Sequence, residues 1–242
     1  MEHELTGRAV HVWPVSTYAP DAVVERFRAL LAPDEADRAD RFRFPRLRQS
    51  FTLARGALRV LLGRYLNTAP GDIKFAYGSK GKPALATDNR LQFNASHSGD
   101  LALFTFTMDC EIGVDVEPIR SMPDIEDVAK RFFCAEETEE LMSLSGDQRE
   151  HGFFLCWTRK EAYIKATGDG LATPLDAFRV TLRPGAPAGM VHVQQDCIAA
   201  QAWTLHDLTP APGYAAALAY RDSPRPLKTF PFFNPKQLLD IM

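Results

Sequence analysis

Two long helical runs govern what this chain can fold into. Residues 47–66 carry an apolar stripe of Leu47, Phe51, Ala54, Leu58, Leu61 and Leu62 at three- and four-residue spacing. Residues 147–167 form a second run in which Phe154, Trp157, Glu161 and Ile164 fall on one side. Strand-length apolar segments accompany each run, at 10–13, 91–93, 101–107 and 112–117, then at 178–182, 190–194, 202–208 and 214–220. Shorter helices are read at 21–31, from Pro33, and at 124–132. Asp147 takes the cap role for the second long helix, with Glu150 three residues on, and Gly168 follows its end. Residues 78–83 read as a loop, 94–99 as a tight turn and 184–189 as a hairpin turn. Each half therefore mixes helices with short strands, which predicts an α+β fold. The polar break Asp109-Cys110-Glu111 divides it into residues 1–110 and 111–242, and the Pro-rich tail from 221 is expected to be irregular, anchored by Phe230, Phe232 and Phe233.

Composition narrows the class. At 242 residues, 45% hydrophobic and 24% charged, the chain has the make-up of a globular protein. A net charge of −3 supplies no basic field for nucleic acid. No apolar run approaches the ~18 residues of a membrane span. Met1–Glu4 lacks the basic and apolar regions of a secretion signal. Cys110, Cys134, Cys156 and Cys197 form no Cys-x-x-Cys pair and are expected to be reduced core thiols of a cytoplasmic protein.

Four constellations could carry chemistry. In Gly113-Val114-Asp115-Val116-Glu117, strand alternation puts both acids on one face. Adjacent carboxylates repel unless a cation or proton lies between them, and hard oxygen ligands suit Mg2+. The plain alternative is a strand with one solvated face. Along 157–166, Glu161 shares the apolar stripe, where an acid wants a metal or a cation, and Lys165 lies four residues on. A surface salt bridge between them would look the same. Asn94-Ala95-Ser96-His97-Ser98-Gly99 offers hydroxyls, an imidazole and backbone donors suited to a pyrophosphate. It lacks the Gly-x-Ser-x-Gly elbow of a serine hydrolase. Finally, eight arginines and a single acid lie from Arg38 to Arg64, with Arg48, Arg55 and Arg59 on a stripe opposite the apolar one; most of the eight are expected to be solvated, and a phosphate would need only one or two. Lys80 and Lys82 on the glycine-rich loop add positive charge.

In this order the elements resemble the Sfp-type 4'-phosphopantetheinyl transferases. The likeness runs from the arginine-rich helix through Gly81-Lys82-Pro83, Phe93 to Ser98, Gly113 to Glu117 and Arg131-Phe132-Phe133 to the stretch 157–171, and spans roughly residues 38–180. The resemblance implies two similar α/β subdomains related by a pseudo-twofold, with coenzyme A in the cleft between them. It implies Mg2+ on Asp115, Glu117 and Glu161, with water where Val116 can supply no ligand. Lys165 would meet the phosphate and the leaving group. Ser96 and His97 would hold the pyrophosphate or the 3'-phosphate end, Lys82 would line the adenine pocket, and Arg46 and Arg55 would be 3'-phosphate candidates. Glu161 or a metal-bound water would be the base for a carrier-protein serine. A monomer should suffice. Phe132, Phe133 and Met142 are candidate carrier contacts, with core packing the alternative for the two aromatics. Two other classes remain open at this point: a non-catalytic coenzyme A or carrier binder, and a Mg2+-dependent phosphohydrolase.

Overall fold

The computed structural model describes residues 5, 7–78, 80–87, 90–168, 170 and 173–240. Met1–Glu4, Ser79 of the glycine-rich loop, and Asp169 and Leu171 of the last motif lie outside the described residues.

The elements run β1 (Val10–Ser16), α1 (Asp21–Arg28), α2 (Pro33–Asp40), α3 (Pro45–Leu66), β2 (Phe75–Tyr77), β3 (Pro83–Leu85), β4 (Leu91–Ser98), β5 (Leu101–Met108) and β6 (Ile112–Pro118). Next come α4 (Ile125–Phe132), α5 (Ala135–Met142), α6 (Asp147–Thr167), β7 (Phe178–Val180), β8 (Met190–Val193), α7 (Cys197–Ala200), β9 (Thr204–Leu208), β10 (Tyr214–Tyr220), β11 (Leu227–Thr229) and α8 (Pro235–Asp240). This is the expected α+β mixture.

One sheet has the order β11-β1-β5-β4 and a second the order β6-β10-β9. Helix α3 covers the first, where Leu53, Leu58, Leu61 and Leu62 pack on Trp13, Phe93, Phe104 and Phe106. Helix α6 covers the second. A third core joins the uncovered faces of the two sheets: Val10, Val12, Leu101 and Leu103 meet Val114, Val116 and Leu218. The alternation of the β6 sequence thus sends its valines between the sheets and its acids toward α6.

Pro45 opens α3, where a missing N–H costs nothing, and Asn67 closes it in the left-handed region at φ 51°. Helix α6 ends as expected on Gly168, at φ 75°, whose N–H bonds back to Ile164. Its start differs. Gly146 is the cap residue, with no side-chain bond, and Asp147 lies inside the first turn. There Asp147 and Glu150 face the positive end of the helix dipole instead of capping it.

Four further expectations need correction. Residues 94–99 are not a turn: strand β4 continues to Ser98 and the reversal comes at Gly99-Asp100. The short polar residues that suggested a turn are one face of a strand. Helix α5 was not anticipated, because its buried apolar content is small; its buried acid Glu137 pairs with Lys160 of α6. The tail is not irregular: β11 pairs in parallel with β1 and α8 packs near α3, so it returns to the first sheet. Phe230 stacks on Trp13 with ring centroids 3.7 Å apart and Phe233 packs beside it, while Phe232 is half exposed. Cys197 is exposed; the other three thiols are buried, and all four are free. Among the described residues, no helix is long and apolar enough to cross a membrane.

Candidate active site

Gly113 sets the site. It lies where α6 crosses β6, and a Cβ there would fall 2.0 Å from the Ala162 carbonyl oxygen and 2.4 Å from the Ala166 nitrogen. Only a residue without a side chain lets these two backbones approach so closely. The contact brings the Glu161–Lys165 turn of α6 onto the acidic face of β6 two residues further along.

Strand β4 supplies the third wall. It runs beside β6 in the same direction: the Val114 N–H donates to Asn94 Oδ1 (3.0 Å), Ser96 Oγ to Asp115 Oδ1 (2.8 Å) and Ser98 Oγ to Glu117 Oε2 (2.5 Å). Asn94, Ser96 and Ser98, alternate residues of one strand face, thus each meet a β6 group. Lys165 Nζ donates to Asp115 Oδ1 at 2.6 Å and to Ser96 Oγ at 2.9 Å.

Negative charge exceeds positive charge here. Asp115, Glu117 and Glu161 face the single ammonium of Lys165. Asp115 is 4% exposed, and its second oxygen, Oδ2, is buried without a hydrogen-bond partner. Burial pushes the Glu117 carboxyl upward; the Ser98 hydroxyl opposes this and Asp115 adds to it. Burial also raises Glu161, reinforced by Asp115 and Glu117 and opposed by Lys165. Both acids therefore hold protons more strongly than usual, as expected where negative charge is concentrated away from water. No three His, Cys, Asp or Glu side chains among the described residues form a ready-made metal cage. Among the described residues, Ser96 and Lys165 bond Asp115, Ser98 bonds Glu117, and the charge of Arg120 also acts on Glu117.

A cleft of about 240 Å³ opens beside this cluster. The loop residues Lys80 and Lys82 line one side, and Glu161 and Lys165 the other. Lys82 Nζ is held at 2.5 Å by Glu111 and at 3.2 Å by the Ala166 carbonyl. His97 lies on the opposite face of β4 with its ring exposed. Crowding by the surrounding protein, then the charges of Lys165 and Arg38, disfavour its protonation.

The structure thus gathers Asp115, Glu117, Glu161, Lys165 and Ser96, with Lys82 across the cleft; His97 does not line the cleft and is reached by the charges of Lys165 and Arg38. Arg46 and Arg55 stand apart from this cluster. Arg46 is exposed and pairs with Asp100 at 2.5 Å. Arg55 pairs with Glu35, as does Arg59, which is buried; Arg48 on the same stripe is exposed, as are Arg38, Arg41, Arg43 and Arg46, so most of the eight arginines are solvated as expected. Phe133 is buried in the second core, and Phe132 and Met142 pack against its edge. Asn94, Ser98, Gly113 and Arg38 lie within the motifs read from the sequence, but sequence reasoning gave none of them a role of its own. The first two were signalled by their spacing of two with Ser96, had residues 94–98 been read as strand.

Two family models match. "4'-Phosphopantetheinyl transferase, N-terminal" covers residues 20–107, and "4'-phosphopantetheinyl transferase superfamily" covers residues 111–219. The chain is 43% identical to 4'-phosphopantetheinyl transferase HetI of Nostoc sp. strain PCC 7120 over 218 residues, 89% of each chain. It is 32% identical to 4'-phosphopantetheinyl transferase Sfp of Bacillus subtilis over 158 residues, 65% of this chain and 69% of Sfp. It is also 30% identical to the L-aminoadipate-semialdehyde dehydrogenase-phosphopantetheinyl transferase of Mus musculus over 165 residues, 64% of this chain and 53% of that one. With both halves matched by the same family and nearly the whole chain aligned to one relative, this protein belongs to the 4'-phosphopantetheinyl transferase superfamily.

Proposed function

We propose that this chain transfers the 4'-phosphopantetheine of coenzyme A to a serine of an acyl or peptidyl carrier protein in a Mg2+-dependent reaction that releases adenosine 3',5'-bisphosphate. The single observation that carries the reading is the convergence of Asp115, Glu117, Glu161 and Lys165 beside a cleft lined by Lys80 and Lys82.

The donor set fits a hard divalent cation. Three carboxylates are all-oxygen ligands, and the orphaned Asp115 Oδ2 is a buried acceptor in want of a positive partner. Asp115, Glu117 and Glu161 would hold Mg2+, which when bound neutralises charge on the pyrophosphate. Lys165 then donates to the phosphate oxygen on the leaving side instead of to Asp115. Ser96 and Ser98 keep the Asp115 and Glu117 carboxylates oriented through the bonds described above.

The carrier serine Oγ attacks the β-phosphorus, and the bond to the oxygen bridging toward the α-phosphate breaks. That oxygen leaves with the adenosine bisphosphate, its charge met by Lys165. Glu161, which lines the cleft, would take the serine proton. Lys82 supports the nucleotide end of the cleft. Arg46 and Arg55 are paired with Asp100 and Glu35, and Arg38, whose charge acts on His97, joins them as a 3'-phosphate candidate of the arginine-rich segment. All of these groups come from one chain, so a monomer suffices.

Chromatographic detection of adenosine 3',5'-bisphosphate tests the reading. Its release should require coenzyme A, Mg2+ and an apo carrier together. Release without a carrier would favour a hydrolase, and tight carrier binding without release would favour a non-catalytic binder.

A further inference from the structure

Arg55 sits in a tightly bonded knot rather than on the surface. Glu35, 3% exposed on α2, accepts from Arg55 Nε at 2.5 Å through one oxygen. Its other oxygen accepts from Arg59 Nε at 2.6 Å and from the Ala32 N–H at 2.8 Å. Arg55 also reaches the other way. Its guanidinium lies over the Phe75 ring, 3.9 Å from the centroid, and one terminal nitrogen donates to the Tyr77 hydroxyl at 2.6 Å.

Phe75 and Tyr77 are the ends of β2, which pairs with β3 as a two-stranded sheet of three residues a side. A pair this short is marginal on its own. The turn between its strands carries Lys80, Gly81 and Lys82 into the cleft. The Gly78 N–H closes that turn on the Lys82 carbonyl at 3.0 Å. Arg59 fixes the preceding segment through the Pro70 and Ile73 carbonyls. Tyr77, one residue before the turn, is tied by Arg55.

We infer that Arg55 is a positioning residue: through Tyr77 it holds the β2–β3 hairpin against α2, so that Lys80 and Lys82 face Glu161 and Lys165 across the cleft. The inference rests on the coenzyme A reading above. It replaces direct phosphate contact as the role of this arginine. The geometry asks for a guanidinium, since only a planar fork can bond Glu35, bond Tyr77 and lie flat on Phe75 together.

The test uses the full chain with Arg55→Ala, Arg55→Lys and Tyr77→Phe, reading the Kd for coenzyme A by titration calorimetry and KM and kcat in the transfer assay. Arg55→Ala should raise Kd and KM about tenfold and Tyr77→Phe severalfold, with kcat at saturation within about twofold, as expected for loss of one or two charge-assisted hydrogen bonds outside the reacting atoms. Arg55→Lys should not restore binding. The same factors should appear with 3'-dephospho-coenzyme A. A penalty that vanishes with 3'-dephospho-coenzyme A would mean direct contact with the 3'-phosphate and would overturn the inference, as would unchanged Kd in Arg55→Ala and Tyr77→Phe. If Arg55→Ala does not fold, Tyr77→Phe decides, because Tyr77 is 49% exposed. A wild-type protein that binds coenzyme A but transfers nothing would sink the proposed function while leaving the Kd comparison to judge Arg55.

Discussion

Replacing Gly113 by alanine should damage both the fold and the chemistry. The added methyl would lie 2.0 Å from the Ala162 oxygen, 2.4 Å from the Ala166 nitrogen and 2.9 Å from the Lys165 carbonyl carbon. Ordinary carbon contacts begin near ~3.5 Å, so α6 must recede from β6 by roughly 1 to 1.5 Å. All three atoms are backbone, and no side-chain rotation can relieve them. Overpacking of this kind costs about 1–3 kcal/mol, or more where nothing yields. In a chain of this size, that lowers Tm by roughly 2–4 °C per kcal/mol. The same recession carries Glu161 and Lys165 away from Asp115 and Glu117, and a misplacement of ~1 Å in a reacting constellation can cost about 100-fold in rate. Thermal melts and transfer rates should therefore both fall. Gly71→Ala is the control, because a Cβ at Gly71 meets nothing within 4 Å. A Gly113→Ala protein with wild-type Tm and turnover would refute the claim that this close approach builds the site.

Three other perturbations have defined outcomes. Lys160→Met leaves the fully buried Glu137 without its ammonium partner and should cost about 3–5 kcal/mol in a urea titration, an effect that Glu137→Gln in the same chain should partly reverse. Ser98→Ala removes the bond that favours ionised Glu117, so the acid-side limb of the pH–rate profile should move to higher pH and more Mg2+ should be needed; an unmoved limb would argue against Glu117 as a working carboxylate. Arg225 and then Arg8 hold the Asp222 carboxyl down at about 2. A depressed folded-state value stabilises above the unfolded value of ~3.9 and is lost as pH falls through 2, so the ion-pair contribution removed by Asp222→Asn should be under about 1 kcal/mol at neutral pH, after screening, and should shrink steadily as pH falls toward and below 2.

Much of this architecture was visible in the residues, and the parts that were not share a cause. Helix α3 and strand β6 follow from apolar periodicity, and strands β5 and β10 from continuous apolar runs, since both faces of each of those two lie in cores. The shared strand face of Asp115 and Glu117 followed from a period of two, and the place of Lys165 one turn beyond Glu161 from a helical step of four; the ion pair of Asp115 with Lys165 arises only where the strand and the helix meet. Strand β4 was cut short because its polar residues face β6 and not water, which periodicity against a solvent background cannot distinguish. The burial of Arg55 and Arg59 was not legible because a buried guanidinium depends on an acid elsewhere in the chain, here Glu35. The same holds for Lys160 and Glu137, 23 positions apart in sequence and joined only by packing. Strand β11 was invisible locally because a three-residue edge strand takes its identity from β1.

Intact-mass spectrometry of an apo carrier protein incubated with this chain, coenzyme A and Mg2+ tests the central claim most directly. The account predicts one phosphopantetheine added per carrier, no addition when Mg2+ is chelated, and no addition by a folded Glu117→Ala variant. Absence of any adduct across a panel of fatty acid, polyketide and peptide carriers would contradict it, and so would undiminished transfer by Glu117→Ala.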